Sequence, residues 1–153
     1  MKLSTKGRYA VVALADIALL GGDGYTSLAD ISTRQNISLP YLVQLFVKLR
    51  RAGVVVAVRG PSGGYKLARE PEEIKISDIL EAVDESIDAV EAGFALPGTN
   101  SGTRAQALSN RLWEGLSAHV YVFLHRCALA DIVNNRLAPC PAVPNLLAVV
   151  DEL

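Results

Sequence analysis

The sequence predicts a mainly α-helical fold with a small β wing, a winged helix-turn-helix, followed by a long dimerisation helix. Three observations carry this. Apolar residues recur at helical spacing in three successive segments between Thr5 and Ala52. A short β-branched run and a Gly-rich turn follow the third segment directly. A single long amphipathic stretch then occupies the region from Thr103 to Cys127.

The first helix is expected over Thr5 to Leu20, with Ala10, Val11, Leu14, Ile17 and Ala18 near helical period. Gly21-Gly22-Asp23-Gly24 stops it. Ser27, with Asp30 three residues on, opens a second helix that reaches about Gln35. Asn36-Ile37 makes a tight turn. Ser38 is a good N-cap for a third helix, Pro40 is tolerated in its first turn, and Gly53 ends it after about Ala52. Val54-Val55-Val56-Ala57-Val58 reads as a strand, Gly60-Pro61-Ser62-Gly63-Gly64 as a turn, and Tyr65-Lys66-Leu67 as the return strand. Ser77 is expected to cap a helix over Asp78 to Val83. Periodicity is lost from Ala89 to Gly102. Thr103 and Gln106 form a capping box for the long helix, which at 1.5 Å per residue is ~36 Å long. A helix that long on so small a protein is expected to pack against its copy, with packing back on its own domain as the alternative. A shorter helix from Leu129 to about Leu137 follows, until Pro139, Pro141 and Pro144 break regular structure.

The chain has 153 residues, half of them apolar, and a formal charge of −1. A real core is available, and disorder as the main state is not expected. No apolar run reaches the ~18 residues of a membrane span. The N-terminus lacks a signal-peptide core, and two cysteines do not make a disulfide framework, so a cytoplasmic location is expected. The near-zero charge hides an asymmetry. Residues 1–70 hold ten Lys and Arg against four Asp and Glu, while residues 71–153 hold five against twelve. One half is therefore suited to a polyanion and the other is not.

The third helix has two faces. Leu42, Leu45, Phe46 and Leu49 form an apolar stripe, and Tyr41, Gln44, Lys48 and Arg51 lie opposite. A helix that reads DNA needs this division, because one side packs while the other reaches base edges. Gln pairs bidentately with adenine, and Lys or Arg meets guanine or phosphate. An ordinary surface helix would look similar. The hairpin adds Arg59 beside Gly60, Gly63 and Gly64, a slim tip suited to minor-groove insertion. A nucleotide-phosphate loop does not fit, since Tyr65-Lys66-Leu67 stands where the Walker pattern needs Gly-Lys and then Ser or Thr.

Leu3-Ser4-Thr5-Lys6-Gly7-Arg8-Tyr9-Ala10, Ile37-Ser38-Leu39-Pro40-Tyr41-Leu42, Gln44-Leu45-Phe46, Leu49-Arg50-Arg51-Ala52-Gly53, Val58-Arg59-Gly60-Pro61-Ser62-Gly63-Gly64-Tyr65 and Ala82-Val83-Asp84-Glu85-Ser86 occur in that order. With these motifs the chain resembles the Rrf-type bacterial winged-helix transcriptional regulators, and within them the iron–sulfur (IscR-like) branch. The resemblance is dense over residues 1–90 and looser over 103–137. It implies a homodimer bound to a double-stranded DNA operator, acting as a repressor of iron–sulfur or iron metabolism genes. By position it implies base contacts from Ser38, Tyr41 and Gln44, a minor-groove contact from Arg59, and phosphate contacts from Lys6, Tyr9, Arg50 and Arg51. Members of the branch often carry an acidic residue where this chain has Val43. Valine neither repels phosphate nor accepts from cytosine, and it can touch a thymine methyl, so the preferred operator is expected to differ.

The resemblance also implies a [2Fe–2S] cluster held by cysteines in the loop before the long helix, with a nearby histidine. This chain has no cysteine there, and Asn110 stands where histidine is usual. Any cluster would have non-standard ligands. Cys140 is the weak candidate, with Glu85, Asp88, Glu91, His119 or His125 as partners, whereas Cys127 on the apolar stripe reads as a packed core thiol. Three regions are expected: a DNA-binding domain over 1–88, a loop over 89–102, and a dimerisation helix with C-terminal segment over 103–153. Other readings remain open: a protein–protein winged-helix module, a regulator with a different effector, or a cysteine enzyme using Cys140 or Cys127 with His119 or His125. Cys127 and His125 diverge by about 200° around one helix, which disfavours the last, and no enzyme is expected.

Overall fold

The computed structural model describes residues 4–85 and 103–137. Its order is α1 (Thr5–Leu20), α2 (Leu28–Gln35), α3 (Leu39–Arg51), β1 (Val55–Val58), β2 (Gly64–Leu67), a 3-10 turn at Pro71–Glu73, α4 (Ile76–Ala82), α5 (Arg104–Arg126) and α6 (Leu129–Val133). The fold is mainly helical with one two-stranded antiparallel wing, as the sequence predicts.

Local chemistry explains most boundaries. Ser4 caps α1 by accepting from the Lys6 N–H, and Ser27 caps α2 by accepting from the Asp30 N–H at 3.1 Å. Asn36 ends α2 in the left-handed conformation. α3 ends through Gly53, whose φ of +73° suits glycine, with the Val54 N–H bonded back to the Leu49 carbonyl at 3.0 Å. Thr103 and Gln106 form the expected reciprocal capping box of α5, at 3.2 and 3.3 Å.

Three expectations need correction. Ser38 occupies the N-cap of α3 but makes no side-chain cap bond. Pro40 is one reason, because it removes one of the two N–H groups an N-cap side chain normally accepts from. Ser77 does not cap α4. The helix starts two residues earlier with Lys75 at the cap, where the Lys75 N–H donates to the Asp78 carboxylate. Ser77 instead lies buried in the first turn, its hydroxyl 3.2 Å from His125 Nδ1. The last helix stops at Val133 rather than near Leu137, with Asn135 in a left-handed turn.

The core gathers Leu14 from α1, Ile31 from α2, Leu42, Phe46 and Leu49 from α3, and Ile79 from α4, all fully buried. Leu129, beyond the long helix, is fully buried in the same cluster. Backbone bonds Ile76 N–H to Cys127 carbonyl (2.9 Å) and Leu129 N–H to Ile74 carbonyl (2.8 Å) stitch it there. Cys127 caps α5 and is half-buried against the core, where burial pushes its thiol above the usual range and Asp131 adds to the effect. α5 itself contributes no buried residue. Leu108, Leu112, Leu116 and Phe123 are all exposed along it.

One polar group is buried between α1 and α2. Asp16 accepts from Arg34 through two guanidinium nitrogens, the shorter bond 2.6 Å, and from Gln35 Nε2 at 2.6 Å. The Arg34 hydrogen bond holds the Asp16 carboxyl below the usual range, against burial, with help from Gln35. A depressed folded-state pKa stabilises above the unfolded value of about 4. That contribution is expected to disappear as pH falls through the folded pKa. Urea unfolding at pH 7 and pH 3 should show a smaller pH-dependent loss for Asp16→Asn than for the wild type. Equal losses would show that the pair contributes nothing to acid sensitivity.

Candidate nucleic-acid interface

α3 turns its apolar stripe inward as expected, leaving Ser38, Val43, Gln44, Arg50 and Arg51 exposed and Tyr41 half-buried. Tyr41 is held in place from α1. Its ring meets that of Tyr9 edge-on, with centroids 5.7 Å apart and planes at 87°. The exposed N-terminal end of α3 thus adjoins the first turns of α1, where Lys6 and Tyr9 lie.

The wing is fixed at its root by Tyr65. Its backbone exchanges two 2.8 Å hydrogen bonds with Thr26, the residue before the α2 cap. Its ring packs edge-on against Phe46 of α3 at 4.9 Å. One residue therefore ties the hairpin to both helices of the helix-turn-helix. Arg59 is exposed at the end of β1, where the hairpin turns. Arg50 and Arg51 line a shallow depression with Val47 and Tyr65, between α3 and the wing root.

The glycines have an internal reason to be there. Gly64 has a φ of +155°, and a Cβ on it would strike the Thr26 carbonyl. A Cβ on Gly63 would strike the Val58 carbonyl. Gly60 has open space around it and only its φ of +123° favours glycine. Close approach to a ligand is not needed to account for Gly63 and Gly64.

Two of the lysines are already engaged. Lys48 Nζ donates to Asp84 Oδ2 at 2.6 Å, and Lys6 Nζ donates to the Asp84 carbonyl at 3.1 Å. The Lys48 hydrogen bond and charge hold the Asp84 carboxyl below its usual range. Glu85 accepts from the Ser4 and Gly7 N–H groups, each at 3.1 Å, and from the Ser4 hydroxyl, at the start of α1. Burial alone would raise the Glu85 pKa, but these bonds and Lys6 lower it. The motif containing Asp84 and Glu85 is visible in the sequence, but its partners are about 80 residues away for Glu85 and 36 residues away for the Asp84–Lys48 pair, and no spacing rule finds them.

These residues fit an iron–sulfur cluster poorly. Among the described residues no group of three or more His, Cys, Asp and Glu could hold a metal ion. Glu85 is committed to α1, and His125 Nδ1 lies against Ser77. Cys140, Asp88, Glu91 and the 89–102 loop lie outside the described residues. No described helix is long and apolar enough to cross a membrane.

A helix-turn-helix with one face of α3 exposed and a hairpin rooted on it defines the winged-helix class of transcriptional regulator. Residues 3–135 match the Rrf2 model, described as an iron-dependent transcriptional regulator. The chain belongs to the Rrf2 family. It is similar to the HTH-type transcriptional regulator IscR of Cereibacter sphaeroides, 65% identical over 99% of each chain. It is 49% identical to that of Aliivibrio salmonicida over 87% of this chain and 77% of that one. Among solved structures it resembles T. potens IscR, at 38% identity over 88% of each chain and a TM-score of 0.70. It also resembles CymR, the global cysteine regulator of B. subtilis, at 32% identity over 88% of this chain and 98% of that one, with a TM-score of 0.73. These relatives are regulators, which sets aside the cysteine-enzyme reading.

Proposed function

We propose that the chain is a cytoplasmic homodimer that binds double-stranded DNA operators and represses iron–sulfur or iron metabolism genes. The observation that carries the DNA reading is the shared root of the two reading elements. Tyr65 joins the wing to α3 through Phe46, which ties the hairpin carrying exposed Arg59 to the helix carrying exposed Val43 and Gln44. In this reading Ser38, Tyr41, Val43 and Gln44 face base edges in the major groove and Arg59 enters the minor groove. Lys6, Tyr9, Lys48, Arg50 and Arg51 meet phosphates. The dimer reading rests on the exposed apolar residues of α5, which a second copy would cover. The region boundaries at 88 and 102 belong to the same proposal.

The finer part concerns the effector. A [2Fe–2S] cluster on non-standard ligands would need Cys140 and residues outside the described set. A winged-helix module that docks a protein is the second reading. Leu39, Val43 and Val47, 40–45% exposed on the outer side of α3, favour it.

One experiment separates these. Protein purified without oxygen is examined by visible and paramagnetic spectra, then titrated with genomic fragments across a salt series. Specific binding should weaken with a log–log slope near −0.9 per phosphate contacted. Absence of any salt-sensitive site would overturn the DNA reading in favour of protein docking. A colourless, iron-free protein that still selects fragments would overturn the cluster and leave a different effector.

A further inference from the structure

The Lys48–Asp84 pair stands where the DNA reading places a phosphate contact. Lys48 lies on α3, two residues before Arg50. Asp84 follows α4 and reaches α3 across 36 residues of sequence. Both side chains keep access to solvent, at 40% and 73% exposure, so this is a bridge that water and ions can compete for. Asp84 also holds Lys6 of α1 through its carbonyl. Its backbone is left-handed, φ +56°, where α4 ends with the Glu85 N–H bonded back to the Leu80 carbonyl at 2.9 Å. A single residue therefore occupies two ammonium groups on the two helices that adjoin at the reading surface.

We propose that Asp84 is a specificity-determining residue that acts as an internal stand-in for DNA phosphate, holding Lys48 back and so lowering sequence-independent affinity. The inference rests on the DNA-binding reading. A lysine is a flexible point charge that contacts any phosphate, whatever the base sequence. A carboxylate within 2.6 Å of it must be displaced before that contact forms. Exposed arginines at 50, 51 and 59 meet no such carboxylate among the described salt bridges. The restraint therefore acts on lysine, the less geometrically selective of the two cations.

The test is Asp84→Asn in the full chain. Asparagine keeps the carbonyl that binds Lys6, tolerates the left-handed backbone and removes only the charge. Anisotropy titrations with a labelled duplex of mixed sequence, across a salt series, compare wild type, D84N, K48A and the double variant. D84N is expected to bind more tightly and with a salt slope steeper by about 0.9, which is roughly eightfold in affinity at 0.1 M salt. In the Lys48→Ala background the same change should produce no gain. An unchanged slope in D84N, with wild type binding normally, overturns the inference alone. So does an equal gain without Lys48, which would mark bulk charge as the cause. A wild type with no salt-dependent binding overturns the DNA reading as well.

Discussion

Replacing Phe46 with alanine is expected to lower the unfolding free energy by about 3–5 kcal/mol, the range for deleting a fully buried aromatic side chain. Phe46 has no exposed surface and is among the largest buried side chains. Its position makes the loss more than a cavity. The ring is the contact between α3 and Tyr65, so its removal also loosens the root of the wing. Urea denaturation should show the lowered stability, and proteolysis should cut the hairpin sooner than in wild type. Phe46→Leu keeps much of the apolar volume but not the edge-on ring contact. It should recover most of the stability and less of the wing's protection. Full recovery of both would show that the aromatic contact is dispensable.

Arg59→Ala is expected to weaken binding to a selected operator by about 1–3 kcal/mol while leaving thermal stability unchanged. The side chain is exposed on the hairpin and supports no part of the core. If the planar guanidinium reads a narrow minor groove, Arg59→Lys should restore only part of the affinity, because a compact ammonium is more strongly hydrated. Titration of the two variants against operator and mixed-sequence duplex provides the check. Equal losses on both DNAs would make Arg59 a phosphate contact rather than a reader.

Much of the fold was legible because its signals are local. The apolar stripe of α3, the Gly53 stop, the Thr103–Gln106 box and the β-branched strand each declare themselves within a few residues. The class of the interface was legible too, since a two-faced helix followed by a hairpin is a pattern in sequence. Long-range polar contacts were not legible. Asp16 reads as an ordinary helix residue until Arg34 and Gln35 fold over it. Lys48 reads as a free cation until Asp84 arrives. Ser38 and Ser77 fit the N-cap rule by residue type, yet Pro40 removes a donor from one and an earlier helix start displaces the other. The wing glycines read in sequence as a slim tip suited to a groove, yet neighbouring carbonyls already exclude a side chain at Gly63 and Gly64.

The burial of Leu129 among residues of α1, α3 and α4 bears on how the chain is made. Synthesis runs from the N-terminus, and the helix-turn-helix and wing emerge first. Their core stays incomplete until a residue beyond the 23-residue α5 has left the ribosome. A nascent chain stopped before α5 would expose the surface that Leu129 covers and lack the backbone bonds to Ile74 and Ile76. The completed core and the exposed apolar side of α5 therefore come into being at nearly the same moment of translation.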